Sequence, residues 1–227
     1  MSEALQLAVE IERGSGRPKK GYYASDGARL PSASTIADRF GNPRGLYWWH
    51  YQNGVEGREF GKGKEPSLEI GSLVHRTIEC EINCEPVPTV PEYMREQVAS
   101  AVAAWHEWFL SNSLTIVATE VPLVSESYRF GGTLDSVCLD RHGRYCIGDW
   151  KSSKGLYANY LVQIAAYKLL WEENRWPIDG GFHLVRFSKE HGDMEHRYYP
   201  ELRIAEELFV LLREAYELDK AVEKRVK

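Results

Sequence analysis

The sequence lacks the long apolar segments that mark membrane and secreted proteins. No apolar run approaches the ~18 residues of a membrane-spanning helix. Residues 1–20 also lack the apolar segment that follows the basic start of a secretory signal. These absences predict a soluble protein in the cytoplasm, with no membrane partner.

Cysteine and excess positive charge are also scarce. The four cysteines form no C-x2-C pair, which argues against a zinc ribbon or a thioredoxin-like motif, and we expect free thiols. The chain has 28 Lys and Arg against 33 Asp and Glu, so its formal net charge is −5. This balance argues against a protein that coats nucleic acid through bulk charge. Hydrophobic residues (43%) and charged residues (27%) are present in the proportions of a folded globular chain.

Apolar residues recur at helical spacing in some segments and alternate in others, and this difference predicts the secondary structure. Helices are predicted over 32–40, 70–84, 91–112, 159–176 and 201–226, an aromatic helix or turn over 45–52, and a loop over 54–67. Strands are predicted over 114–124, 128–139, 144–151, 181–188 and 194–199. This order predicts an α/β fold with a mixed central β-sheet flanked by helices.

We expect a single domain without internal repeats. Its predicted parts are an N-terminal elaboration, a core and a C-terminal helix, over 1–69, 70–200 and 201–227. Trp105 and Trp108 lie on an apolar helical stripe and should enter the core. Trp48, Trp49 and Tyr51 follow no clear stripe. They either stack on unpaired bases or close the core, and we expect the core.

The clearest chemical pattern is a pair of acidic residues on a predicted hairpin. Pairing of the strands on either side of the turn at 140–143 sets Asp135 opposite Asp149, with Cβ atoms ~5 Å apart. Such a like-charge pair is destabilising unless one group is protonated or a cation lies between them. Lys151 shares the face of Asp149. Two carboxylates and an ammonium suit metal-assisted phosphodiester cleavage, although the same spacing also occurs among ordinary surface charges.

Other residues extend this pattern into a recognisable set. The hairpin strands contain GGTLD at 131–135 and IGDWKSS at 147–153, His75 ends GSLVH, and Gln163 precedes Tyr167 by one helical turn. LPSASTI at 30–36 and LYWW at 46–49 lie upstream. Together these residues resemble the PD-(D/E)XK nuclease superfamily, specifically its RecB-like exonuclease branch of the phage and mitochondrial genome maintenance type. The resemblance spans about 30–188 and implies a restriction-endonuclease-like core.

The resemblance also implies a role for each matching residue. The implied metal ligands are His75, Asp135, Asp149, the backbone carbonyl of Trp150, and Glu120. The implied catalytic residues are Asp135, Asp149, Lys151, Gln163 and Tyr167. Candidate nucleic-acid contacts are Ser152, Ser153, Arg58, Lys62 and Lys64. Asp149 stands where many relatives have Glu, a difference that this branch tolerates.

The expected cofactor is Mg²⁺ or Mn²⁺, as one or two ions. Some relatives carry an iron–sulfur cluster on one upstream cysteine and three near the C-terminus. Here no cysteine follows Cys146, so no cluster is expected. The hairpin register also sets Cys138 opposite Cys146, on the face away from the site. We expect both to be free thiols in a reducing cell.

The sequence therefore predicts a metal-dependent deoxyribonuclease, a hydrolase of phosphodiester bonds. An exonuclease acting on single-stranded or end-containing DNA fits best, in recombination, repair or phage DNA processing in a bacterial or phage-infected cell. One alternative is a non-catalytic nucleic-acid-binding module on the same fold. Another is a site-specific endonuclease, for which 227 residues leave little room. Strand polarity, strand preference, processivity and oligomeric state stay open.

Overall fold

A computed structural model gives the fold and describes residues 12–14, 16–40, 44–57, 66–153, 155–187 and 193–226. Its strands are β1 (Glu12–Arg13), β2 (Tyr22–Tyr23), β3 (Arg29–Leu30), β4 (Thr115–Ser125), β5 (Phe130–Leu139), β6 (Tyr145–Lys151), β7 (Phe182–Phe187) and β8 (Met194–Tyr199). Its helices are α1 (Ala33–Arg39), α2 (Arg44–Val55), α3 (Pro66–Ile82), α4 (Arg95–Ser111), α5 (Ala158–Asn174) and α6 (Arg203–Val226). Among these residues, no helix has the length and apolar character needed to cross a membrane.

Within the described residues, six strands form one mixed sheet in the order β1-β4-β5-β6-β7-β8. The pairs β1–β4 and β6–β7 are parallel and the other three are antiparallel. Residues of α1, α5 and α6 form the apolar core on one face of the sheet, and residues of α3 and α4 form the core on the other. The predicted α/β fold, with a mixed sheet flanked by helices, is confirmed.

The predicted elements agree with the observed ones to within a few residues, and the region around residue 60 differs most. Helix α2 continues to Val55 and α3 begins at Pro66, so both helices extend into the loop predicted over 54–67. Pro66 suits a first helical turn, because its missing N–H has no intrahelical acceptor there. Residues 58–65 lie outside the described part of the chain.

The tryptophans divide between the core and the surface. Trp105 and Trp108 are buried as predicted, and Trp150 joins them between β6 and α4. The core prediction is wrong for Trp48 and Tyr51, which are 64% and 60% exposed. They share one face of α2, at i and i+3, and no other described element covers that face. The side chain of Trp49 lies outside the described residues.

Two consecutive glycines allow α5 to pack closely on β5. A Cβ atom at Gly132 would lie 2.8 Å from Leu170 Cδ1 and 3.0 Å from Tyr167 Cε1. A Cβ atom at Gly131 would lie 2.3 Å from Tyr22 Cγ. Any side chain at these positions would push α5 and the β2–β3 hairpin outward. The glycines therefore allow the polar residues of α5 to lie close to β5.

The cysteine pair behaves as the hairpin register predicts. Cys138 pairs with Cys146 across β5 and β6, and all four cysteines are free thiols. Both side chains pack in the apolar core under α3 and α4, on the opposite face of the sheet from Asp149.

Candidate active site

The backbone pairing of β5 with β6 ends next to the two aspartates, Asp135 and Asp149. The predicted register is confirmed from Leu139–Tyr145 to Ser136–Gly148, but the backbone ladder stops there. Asp135 does not pair directly with Asp149, because the Trp150 N–H donates to Asp135 Oδ2 instead (2.9 Å). The carboxylate replaces a strand carbonyl as acceptor, and the pairing of β5 with β6 ends at this point.

Asp149 and Lys151 form a buried ion pair on β6, just beyond the end of this pairing. Lys151 Nζ lies 2.9 Å from Asp149 Oδ1 and 2.7 Å from Oδ2, and Asp149 is fully buried. Burial raises the pKa of Asp149 and the charge of Asp135 adds to this, while Lys151 opposes it. Burial lowers the pKa of Lys151, but the charges of Asp149 and Asp135 outweigh that effect and the net shift is upward. The arrangement therefore favours a charged ammonium at neutral pH.

Helix α5 holds this ammonium from one side. Lys151 Nζ donates to Gln163 Oε1 (3.1 Å), and Gln163 Nε2 donates to the hydroxyl of Tyr167 (2.6 Å). The Tyr160 ring lies 5.1 Å from Nζ, in cation–π contact. The sequence analysis did not identify Tyr160 as a residue of the site. Its position three residues before Gln163, on the same helix face, was the available signal.

Three further side chains converge beside the ion pair. His75, Glu120 and Asp135 each offer a ligand atom, and these atoms all lie within 4.8 Å of one another. Carboxylate oxygens and an imidazole suit Mg²⁺ or Mn²⁺, so the donor set fits the expected cofactor. Asp149, which the resemblance names as a ligand, is not in this group of three and faces Lys151 instead.

The backbone at Glu120 is strained at the position where this residue is opposite Asp135. Thr119 pairs with Ser136 and Val121 with Leu134, so Glu120 and Asp135 are opposite each other. Glu120 has φ +50°, a left-handed conformation that costs about 1 kcal/mol or more for a residue with a side chain. Such strain persists where surrounding contacts enforce it, often at functional sites.

Two glycines that follow β1, Gly14 and Gly16, supply the contacts that hold the backbone at Glu120. The Gly14 N–H donates to the Thr119 carbonyl (2.8 Å) and the Gly16 N–H to the Glu120 carbonyl (3.1 Å). A Cβ atom at Gly14 would lie 1.7 Å from the Glu120 carbonyl oxygen, so this approach requires glycine. The sequence did not reveal this contact, because β1 is only two residues long and pairs with a strand about 100 residues away.

The acidic cluster is electrostatically unfavourable without a cation. Burial and the charge of Asp135 raise the pKa of Glu120 to about 8, with a smaller contribution from Glu79 and an opposing one from Arg76. A divalent ion would reverse the sign of the local potential and relieve this repulsion. The raised pKa is therefore consistent with a metal site.

A cavity of about 190 Å³ opens beside the cluster. Besides residues named above, its lining includes residues that carry positive charge or hydroxyl groups: Arg17, Tyr22, Ser32, Ser34 and Thr133. Tyr22 and Thr133 share a hydrogen bond between their hydroxyls (2.8 Å). The segment LPSAS thus contributes two serines to the site region, where the sequence indicated only that one of them caps the helix that follows, as Ser32 does.

The remaining candidate residues are less directly connected to the cluster. The Ser153 hydroxyl donates to the Gly155 carbonyl (2.7 Å), which orders the loop after β6, and Ser152 is half-buried beside it. The Trp150 amide contacts Asp135, so this peptide lies next to the cluster. Arg58, Lys62 and Lys64 lie outside the described residues.

Comparison with known proteins identifies the family. The model of the PD-(D/E)XK nuclease superfamily matches residues 43–225, most of the sequence. The chain belongs to the PD-(D/E)XK nuclease superfamily. It is therefore a nuclease, and the expectation of a restriction-endonuclease-like fold is confirmed. Nucleases of this superfamily generally use divalent metal ions.

Solved structures resemble this nuclease only distantly. A protein from Eubacterium rectale, provisionally named an exonuclease, is 15% identical, with 89% of this chain and 88% of that chain covered and a TM-score of 0.46. An alkaline exonuclease from Laribacter hongkongensis is 12% identical, with 87% and 95% covered and a TM-score of 0.41. A structure of the latter contains dAMP. A search of curated proteins found no match.

Proposed function

We propose that this nuclease is a metal-dependent DNA exonuclease that hydrolyses phosphodiester bonds in single-stranded or end-containing DNA. The observation that carries the proposal is the buried Asp149–Lys151 pair, which lies beside a cluster of two carboxylates and an imidazole. A charged lysine next to a potential cation site is suited to a reaction in which negative charge builds on phosphate oxygens.

His75, Glu120 and Asp135 are the proposed ligands of one Mg²⁺ or Mn²⁺ ion. Asp149 and the carbonyl of Trp150 remain proposed ligands of the same ion or of a second one. A bound divalent cation supplies Lewis acidity, lowering the pKa of water and neutralising charge on the phosphate. Asp149, whose pKa is raised by burial, becomes a better ligand once a cation neutralises the neighbouring charge of Asp135.

Lys151 is the proposed catalytic residue. Without a bound cation, the charges of Asp149 and Asp135 outweigh burial and raise the pKa of Lys151, so that Nζ carries a proton. We propose that Lys151 keeps this proton in the reaction and acts by electrostatic stabilisation and water positioning. Gln163 accepts one hydrogen bond from Nζ, and Tyr167 supports Gln163. This relay restricts the direction of the ammonium, so that its remaining N–H groups can face the phosphate.

The exposed face of α2 supports a preference for unpaired bases. Tyr47, Trp48 and Tyr51 are 60–66% exposed on this face, and the Trp48 and Tyr51 rings lie 5.5 Å apart. Aromatic rings bind single strands by stacking on bases with little sequence preference.

The proposed contacts with the DNA backbone remain Ser152, Ser153, Arg58, Lys62 and Lys64. Roles in recombination, repair or phage DNA processing follow from such an activity.

End-labelled linear and closed circular DNA, single- and double-stranded, test the proposal in Mg²⁺ or Mn²⁺. We expect linear single strands to be degraded progressively to short products while circular single strands persist. Rapid cleavage of circles would contradict the exonuclease assignment and favour an endonuclease. Binding without any metal-dependent cleavage would instead favour the non-catalytic module.

A further inference from the structure

An exposed tyrosine is linked to the Lys151 ammonium through one other aromatic ring. The Tyr160 ring lies 5.1 Å from Lys151 Nζ, and the Tyr157 ring lies 5.5 Å from the Tyr160 ring. The two rings are nearly perpendicular, at 73°, so Tyr160 leaves at least one face of the Tyr157 ring uncovered. Tyr157 is 53% exposed. Its ring is therefore accessible from solvent next to the proposed catalytic residue.

Tyr157 occupies a position where the local structure favours another type of residue. It is the N-cap of α5, with an extended backbone (φ −122°, ψ 151°), and its side chain makes no capping hydrogen bond to the helix as described. Ser, Thr, Asn and Asp stabilise helices at this position, because their short side chains accept from the N–H groups of the first turn. Leu156, one residue earlier, packs against the core, whereas most of Tyr157 lies in solvent. Neither capping nor core packing accounts for an aromatic residue here.

We propose that Tyr157 stacks on the base of the nucleotide beside the scissile phosphate. This inference rests on the proposed function, because it takes single-stranded DNA as the substrate and Lys151 as the residue that meets the phosphate. Since the two contacts span 5.1 and 5.5 Å, the Tyr157 ring lies within about 11 Å of Nζ, a distance comparable to the size of one nucleotide. Stacking on an aromatic ring requires an unpaired base but no particular sequence, because every base has a π face.

Stacking on Tyr157 would fix one nucleotide relative to the reacting group. The exposed face of α2 also carries aromatic rings, but among the described residues the ring in cation–π contact with Lys151 is that of Tyr160. We therefore expect α2 to contribute affinity along the strand, and Tyr157 to set which phosphate lies at Lys151. The rate of cleavage should then depend on the presence of one particular base. A tyrosine that contacts only solvent or another protein predicts no such dependence.

Abasic substitution tests the proposal, because it removes a base and leaves the phosphate backbone intact. Single-turnover cleavage in Mg²⁺ or Mn²⁺ is measured on end-labelled single strands with one stable abasic analogue, placed in turn at each position around the first bond that is cut. We expect the analogue to slow the wild type about 5–100-fold at one position. Tyr157→Ala should slow cleavage of the unmodified strand by a similar factor, and the analogue should then have little further effect.

Two further variants separate stacking from a general effect on the fold. Tyr157→Phe keeps the ring, so it should match the wild type both in rate and in its response to the abasic analogue. Tyr93→Ala, at a tyrosine that is 70% exposed and precedes α4, should also match the wild type. Circular dichroism and thermal melts establish that each variant is folded.

The response of Tyr157→Ala to the abasic analogue decides the outcome. If the analogue slows this variant by the same factor as the wild type, or if no single position affects the wild type, the proposal is overturned while the proposed function stands. A wild-type chain that does not cleave the unmodified strand in either metal would overturn the proposed function, and this inference with it.

Discussion

At the scale of a single residue, Glu120 shows how a proposed metal ligand can lower the stability of the metal-free protein. Its backbone is left-handed, its carboxyl group is largely buried, and its neighbour is another carboxylate. Each of these features costs free energy in the metal-free protein. A cation bound between Glu120 and Asp135 would recover part of that cost, so folding stability and metal binding should be coupled at this residue.

Glu120→Gln should therefore stabilise the metal-free protein. The folded pKa of about 8 lies above the ordinary value of 4.5, so wild-type stability is lost as pH rises between these values. We expect Glu120→Gln to raise the free energy of unfolding by about 1–3 kcal/mol at pH 9, with no gain below pH ~4.5. Thermal melts in EDTA at both pH values measure this.

Calorimetric titration with Mn²⁺ completes this test, because the stabilised variant should have lost metal affinity. Glu107→Gln, at an exposed position on α4, is the matched control and should change neither property. A Glu120→Gln protein that binds Mn²⁺ as the wild type does would exclude Glu120 from the ligands.

At the scale of elements, the close packing of α5 on β5 positions the site. Gly132 leaves room for Tyr167 and Leu170 on α5, the helix from which Gln163 contacts Lys151. We expect Gly132→Ala to lower kcat about 10–100-fold by displacing α5, while the protein stays folded. Steady-state kinetics measure this. Gly54→Ala, where no atom of the described residues lies within 4 Å of the added Cβ, should leave kcat unchanged. A normal kcat in Gly132→Ala would show that the spacing is not critical.

Helix α2 should contribute to binding rather than to chemistry. Trp48→Ala removes a stacking ring, and we expect the affinity for single-stranded DNA to fall about 5–100-fold while affinity for blunt duplex changes little. Fluorescence anisotropy measures both affinities. Trp176→Ala is the matched control, at another exposed tryptophan (53%). Equal losses in the two variants would argue against a stacking face on α2.

Local sequence patterns predicted the helices and strands of this protein well, but they did not predict contacts between segments that are distant in the sequence. The turn at 140–143 fixed the register of β5 and β6, and the Gln163–Tyr167 spacing indicated a shared helix face. The approach of Gly14 to Glu120 was not predictable, because it joins distant segments. The exposure of Trp48 was missed for a related reason, since burial depends on which elements cover a helix.

The direction in which each candidate metal ligand points was also beyond the sequence, although the family resemblance named the residues. Spacing places Asp135 and Asp149 on adjacent strands, but it does not say which way each carboxylate turns. In the structure, Asp149 turns to Lys151, and Glu120 turns to Asp135 and His75. These orientations occur where the pairing of β5 with β6 ends and where β4 has a left-handed residue at Glu120. Side-chain direction at an irregular strand is thus set by the tertiary structure.

At the scale of the whole molecule, the net charge of −5 indicates how DNA should be held. Without a bulk positive surface, affinity depends on local contacts and on metal at the acidic cluster. We expect weak binding of DNA in EDTA at physiological salt and at least about 10-fold tighter binding in Ca²⁺, under conditions where little cleavage occurs. Anisotropy in the two buffers measures this. Tight binding in EDTA would contradict the account.

The central claim is that Lys151, in its ion pair with Asp149, is the catalytic residue. Single-turnover cleavage of labelled single-stranded DNA tests this claim most directly. The comparison is between Lys151→Ala, Lys151→Gln and the control Lys220→Ala, where the lysine lies on α6. Circular dichroism and thermal melts establish that each variant is folded. We predict that both Lys151 variants are slowed at least about 1000-fold in Mg²⁺ while Lys220→Ala matches the wild type. A folded Lys151 variant that retains a rate within tenfold of the wild type would contradict the account.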